Sequence, residues 1–156
     1  MPDPDDSSMN MLFALTNALQ PVRRAWVQVA GSVISQVGLS NSLGTVILLL
    51  SRHGVSIPQK DLATEVGVHP AALVRTLDQG EVAGLLRRRD VPGDRRFKAV
   101  ELLPEGQRLA EIIEKGLEDL RGELLGDLPI EQIDITTRIL RTIEDRALAH
   151  MQQATS

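Results

Sequence analysis

Apolar residues recur at helical spacing from about Met11 to Val37, at Leu12, Leu15, Leu19, Val22, Trp26, Val29 and Val33. Pro21 falls inside this stretch, which predicts either one helix kinked there or two short helices meeting there. Ser40 stands where a hydroxyl would cap a second helix running to Arg52, with His53-Gly54 as its end. That segment is apolar on most faces and is expected to be the most buried element. Pro58 opens a short third helix ending near Gly67, and Pro70 opens a fourth after only Val68 and His69.

The pattern then changes period. Leu85 to Arg89 and Phe97 to Leu103 are strand-like, and DVPGDRR between them has hairpin-turn chemistry. Pro104 opens a long amphipathic helix with Leu109, Ile113, Leu117, Leu120 and Leu124 on one face. Gly126-Asp127-Leu128-Pro129 breaks it, and a last helix runs to about Met151 with Ile133, Leu140, Ile143 and Ala147 recurring. These helices have no obvious partner within so small a domain, and a second copy of the chain would supply one. Two short helices around a glycine turn form a helix-turn-helix, whose second helix can enter a DNA major groove. The hairpin that follows adds a wing. The predicted fold is mainly α (α+β): a winged helix-turn-helix over residues 40–103, between dimerisation helices at 10–37 and 104–151.

Composition narrows this. The chain has 156 residues, 42% of them hydrophobic but only 2% aromatic, so its core must be aliphatic. It has no cysteine, which removes thiol chemistry, disulfides and Cys-rich zinc sites, and fits a cytoplasmic location. The start, MPDPDDSSMN, has neither the basic nor the apolar region of a secretory signal, and residues 1–9 read as an acidic, disordered tail. The longest apolar run, VILLL from Val46, is far short of a membrane span.

Charge is segregated. The formal net charge is -4, yet Leu85 to Lys98 holds six cations against Asp90 and Asp94, a local excess of +4. Taken alone, such a run reads as the solvated face of a hairpin. Beside a helix-turn-helix it reads as a phosphate- and groove-binding element, with Asp94 placed to aim Arg96.

The segments LATEVGVHPAALVRTLDQ, GLLRRR, DRRFK and LLPEG, in this order and spacing, resemble the MarR family of dimeric winged-helix transcription regulators, and its SlyA-like branch in particular. The resemblance covers residues 12 to 150. It implies a homodimer on double-stranded DNA, with a recognition helix in each major groove and a wing in each flanking minor groove. Carried over by motif, Arg75 matches a DNA-contacting arginine of the recognition helix, and Asp94, Arg95 and Arg96 match the wing. His69, Pro70, Ala71 and Ala72 occupy the start of that helix, where Ala71 and Ala72 offer only apolar contact, for example to a thymine methyl. Gln59 falls where a phosphate contact is usual. Three positions depart from the family pattern. Leu103 replaces a capping threonine, Gly80 replaces a leucine and so forfeits a core contact, and Gly44 replaces an aromatic residue near the effector pocket.

Many relatives release DNA when a small aromatic acid binds. Arg23, Arg24 and Trp26 could supply cations and an aromatic wall for such a carboxylate effector. Gly44 and the absence of tyrosine favour the plainer reading, in which Trp26 is a core residue and the arginines are surface or intersubunit partners. His53 and His150 lack companions at metal-ligand spacing, so neither a metal nor a cofactor is expected. No nucleophile elbow, phosphate loop or zinc-helix motif is present, which argues against an enzyme. The competing reading is a dimeric winged-helix adaptor that binds protein and not DNA. The presence of Arg75, Asp94, Arg95 and Arg96 together favours a DNA-binding regulator, and the resemblance implies a repressor, as most such regulators are.

Overall fold

The computed structural model describes residues 4–54 and 56–154, apart from the side chains of residues 4, 5 and 94–97. Its elements are α1 (Pro4–Ser35), α2 (Asn41–His53), β1 (Ile57–Pro58), α3 (Gln59–Val66), α4 (Pro70–Val82), β2 (Leu86–Val91), β3 (Asp94–Leu102), α5 (Pro104–Leu125) and α6 (Ile130–Ala154). The three strands form one antiparallel sheet in the order β1-β3-β2. The chain divides into two compact units, residues 1–118 and 119–156.

One expectation for α1 changes, and one pair of alternatives is decided. The acidic start is helical from Pro4. Proline suits a first helical position, and Asp6 brings negative charge to the positive end of the helix dipole. At Pro21 the single helix holds and the two-helix alternative falls. Its missing N–H would have bonded the carbonyl of Asn17, an exposed residue whose carbonyl water can reach. The apolar stripe also keeps its phase across the proline, so a break would misalign Leu15 and Leu19 with Val22 and Trp26.

The helix ends follow local chemistry. Ser40 caps α2, its hydroxyl accepting from the Leu43 N–H at 3.3 Å. Gly54 and Gly67 close α2 and α3 in the left-handed region, with φ of 67° and 72°. Pro58 precedes α3 instead of joining it, because Ile57 and Pro58 pair with Val100 and Ala99 as a strand too short to show in the sequence. The wing strands are longer than expected and leave only Pro92 and Gly93 as the turn, where Gly93 has φ 87°. Leu103 has no side-chain oxygen to cap α5, although its carbonyl accepts from the Gln107 N–H at 3.0 Å. Pro104 at its first position removes one N–H that would otherwise need a partner.

The core of the first unit is aliphatic and centred on α2. Val46, Ile47 and Leu50 pack with Leu62 of α3, Leu73 and Leu77 of α4, and Leu86 and Val100 of the sheet. Gly80 of α4 is buried in the same cluster. A Cβ there would lie 2.6 Å from Leu86 Cδ2 and 3.0 Å from Leu43 Cδ1. Gly80 therefore forfeits no contact; Leu86 and Leu43 already fill the space a side chain would need. Gly80→Leu is expected to lower stability by about 2 kcal/mol in urea titration, as overpacking does. Gly44 is explained the same way, since Ile34 of α1 lies where its Cβ would be.

In the second unit, α6 buries none of its residues. Leu125, Leu128, Gln132, Ile133, Thr136 and Thr137 line a shallow groove of about 260 Å³ between the end of α5 and the start of α6.

Candidate nucleic-acid interface

The turn between α3 and α4 is built on Gly67, whose N–H reaches the carbonyls of Ala63 and Thr64 at 3.0 and 3.2 Å. Val68 tucks in behind it, and His69 caps α4 with its Nδ1 accepting from the Ala71 N–H at 3.3 Å. Anchored this way, α4 buries Leu73, Thr76, Leu77 and Gly80. The 3.6-residue period then turns Ala71, Val74, Arg75 and Asp78 outward. The Arg75 side chain is exposed and has no hydrogen-bond or ion-pair partner among the described residues.

Around the α3–α4 turn lies an open groove of about 580 Å³ whose lining includes Gln59, Lys60, Thr64, Pro70 and Lys98. It brings together two residues expected at the interface, Gln59 and Pro70, and adds Lys60 and Lys98. Lys60, on the first turn of α3, is exposed and without an ion-pair partner among the described residues. Its place beside Gln59 was the available signal. The Lys98 ammonium pairs with Asp90.

The first arginine cluster has a different role from the one its charge count suggests. Arg87 and Arg89 project from one face of β2 and share the Glu101 carboxylate of β3, Arg89 at 2.7 Å. Hydrogen bonding from Arg87 and then Arg89 outweighs burial and lowers the Glu101 pKa. Arg88 points to the opposite face, toward α4. Its guanidinium lies 2.5 Å from both Asp78 and Glu81, and its backbone N–H donates to Glu81 at 2.8 Å. The Arg88 side chain holds the Glu81 carboxyl below its ordinary range. All three arginines are thus tied to acids on other elements, which a count along the chain omits. The cations at Arg95 and Arg96, with Asp94, belong to β3 by backbone; their side chains lie outside the described residues.

The three residues considered for an effector lie on α1. Arg23 and Arg24 are exposed and unpaired among the described residues, and Trp26 is half-buried. None of them lines the 580 Å³ groove. Gly44, where an aromatic lining was missing, is occupied by Ile34 at the crossing of α1 and α2. His53 bonds Glu65 at 2.9 Å, linking the end of α2 to α3. Among the described residues, no cluster of three or more His, Cys, Asp or Glu could hold a metal, and no helix is long and apolar enough to cross a membrane.

The model of the MarR family matches residues 39–98, which run from α2 through the helix-turn-helix into β3. Among solved structures, transcriptional regulator PA3341 superposes with a TM-score of 0.79 at 32% identity, over 85% of this chain and 97% of its own. BldR from Sulfolobus solfataricus gives 0.77 at 23% identity, over 93% and 99%. NadR in complex with 4-hydroxyphenylacetate gives 0.73 at 22%, over 83% and 91%. At such identities the last two speak for the fold alone. The MarR family and the PA3341 neighbour are transcriptional regulators, not enzymes. A family match centred on the helix-turn-helix, joined to a transcriptional regulator aligned along most of the chain, makes this protein a member of the MarR family.

Proposed function

We propose that the chain is a homodimeric, sequence-specific regulator of double-stranded DNA, most simply a repressor that occludes a promoter, and that its DRRFK wing places it in the SlyA-like branch. The observation that carries this reading is the unpaired Arg75 on the exposed face of α4. The wing-base arginines around it are all engaged with acids, so the free cation at this face is not a by-product of a generally basic surface. Residues 40–103 would contact DNA through Gln59, His69, Pro70, Ala71, Ala72, Arg75, Asp94, Arg95 and Arg96, with Lys60 as a further phosphate contact. Residues 10–37 and 104–151 would form the dimer. Support for a second copy comes from α6, where Ile130, Ile135, Ile139, Leu148 and Met151 are all more than 40% exposed.

In a symmetric dimer the operator is a pseudo-palindrome with half-sites about one helical turn apart. Release by a small aromatic or carboxylate effector would use Arg23 and Arg24 as cations beside Trp26, and the 4-hydroxyphenylacetate held by NadR is the first compound to try.

Fluorescence anisotropy on DNA upstream of the chain's own gene, against random DNA of equal length, tests the proposal. Tight, salt-sensitive binding that prefers the upstream DNA is expected. Arg75→Ala should reduce the preference about tenfold if Arg75 reads a base edge, whereas Arg96→Ala should weaken both DNAs and flatten the salt dependence. Absence of binding at low salt would sink the reading.

A further inference from the structure

We infer that the exposed face of α4 reads thymine methyl groups next to a guanine, with Val74 as the specificity-determining residue. The inference rests on the DNA-binding reading above and deepens it.

Val74 stood out neither by charge nor by hydrogen-bonding capacity, and only the fold reveals its position. With Leu73, Thr76 and Leu77 turned into the core, Val74 lies on the outward face between Ala71 and Asp78, 37% exposed. That face offers an exposed apolar side chain beside one free guanidinium, that of Arg75. Asp78 is engaged by Arg88 at 2.5 Å. Gln79, the first amide on this side of the helix, lies a full turn beyond Arg75. The central part of the face therefore combines methyl groups with a single strong donor.

The major groove has one apolar group to meet such a surface, the C5-methyl of thymine. A free guanidinium matches the paired O6 and N7 acceptors of guanine. Val74 and Arg75 are consecutive on the helix, and a rotation of about 100° between them sends their side chains in different directions, which allows them to reach adjacent base pairs. Ala71, three residues before Val74 on the same face, extends the apolar surface toward the cap. The half-site should accordingly contain thymine adjacent to guanine. A single exposed valine is an ordinary surface feature on most helices; here it occupies the face on which DNA recognition would depend.

The test uses the full chain to enrich duplexes from a randomised library. The best duplex is then resynthesised with deoxyuridine in place of one thymine at a time, which removes the methyl and leaves base pairing intact. Wild-type protein is expected to lose about fourfold in affinity at each contacted position, the equivalent of one buried methyl group. Val74→Ala should bind the thymine and deoxyuridine duplexes alike at the Val74 position, and Val74→Thr, which retains a methyl at the same place, should keep the preference. Circular dichroism melts of both variants establish that the fold is intact. Tight, selective binding that is indifferent to deoxyuridine would overturn methyl reading while leaving DNA recognition standing. Failure to enrich any sequence would overturn both.

Discussion

Gly106→Ala is expected to lower stability by about 3 kcal/mol, although alanine in a helix interior is ordinarily favoured over glycine by about 1 kcal/mol. Gly106 is buried in the first turn of α5, and its added carbon would fall on the carbonyl oxygen of Leu85, with Leu102 Cδ2 a further 3.0 Å contact. Flexible side chains can swing away from a new methyl; a peptide carbonyl cannot. That carbonyl also accepts from the Leu103 N–H at 2.9 Å, the bond that joins the entry of β2 to the exit of β3. Relief of the clash must separate α5 from the base of the wing and stretch this bond. Overpacking costs about 1–3 kcal/mol and the weakened hydrogen bond about 1 more. For a chain of this size the melting temperature should fall by roughly 6–12 °C. An unchanged or higher melting temperature would show that α5 does not approach β2 this closely.

Arg88→Ala is expected to cost about 2 kcal/mol. The Arg88 side chain is 22% exposed and bridges Asp78 and Glu81, whose side chains are 54% and 32% exposed. Removing it deletes charge-assisted bonds worth about 1.5–3 kcal/mol and leaves two like charges three residues apart on α4; screening at the more exposed Asp78 keeps the total near the lower end. The loss should also depend on pH. Glu81 has its folded-state pKa lowered from 4.5, mainly by the Arg88 side chain. Its contribution is therefore fully present above pH 4.5 and disappears as pH falls through the depressed folded value. Urea titrations of wild type and variant should differ most near neutral pH and converge in acid. A pH-independent difference would mean that the guanidinium acts by packing and not by charge.

Much of the fold was legible because its punctuation is chemical and local. Ser40, Gly54, Gly67, Pro70 and Pro104 each mark a boundary through a cap, a left-handed backbone or a missing N–H, and none needs a distant residue to do so. The place of Arg75 on α4 was legible for the same reason, since its motif lies on one element. What could not be read were properties created by contact between elements. Arg87, Arg88 and Arg89 looked like free cations because Asp78, Glu81 and Glu101 lie on other elements. Gly80 and Gly44 looked like deletions because the sequence does not say that Leu86, Leu43 and Ile34 occupy their space. Val74 drew no notice because a valine announces itself only through where it is placed. β1 was missed since two residues carry no period.

The cap on α4 also decides which hydrogen-bonding partners His69 can accept. Because Nδ1 is spent as the acceptor for the Ala71 N–H, the neutral ring must carry its proton on Nε2. That tautomer turns the free edge of the imidazole into a donor with no lone pair to offer. A phosphate oxygen or the N7 of a purine can meet it, whereas the amino group of cytosine or adenine finds nothing there to bond. A backbone requirement at the first turn of a helix thus fixes the polarity of a side chain at the surface.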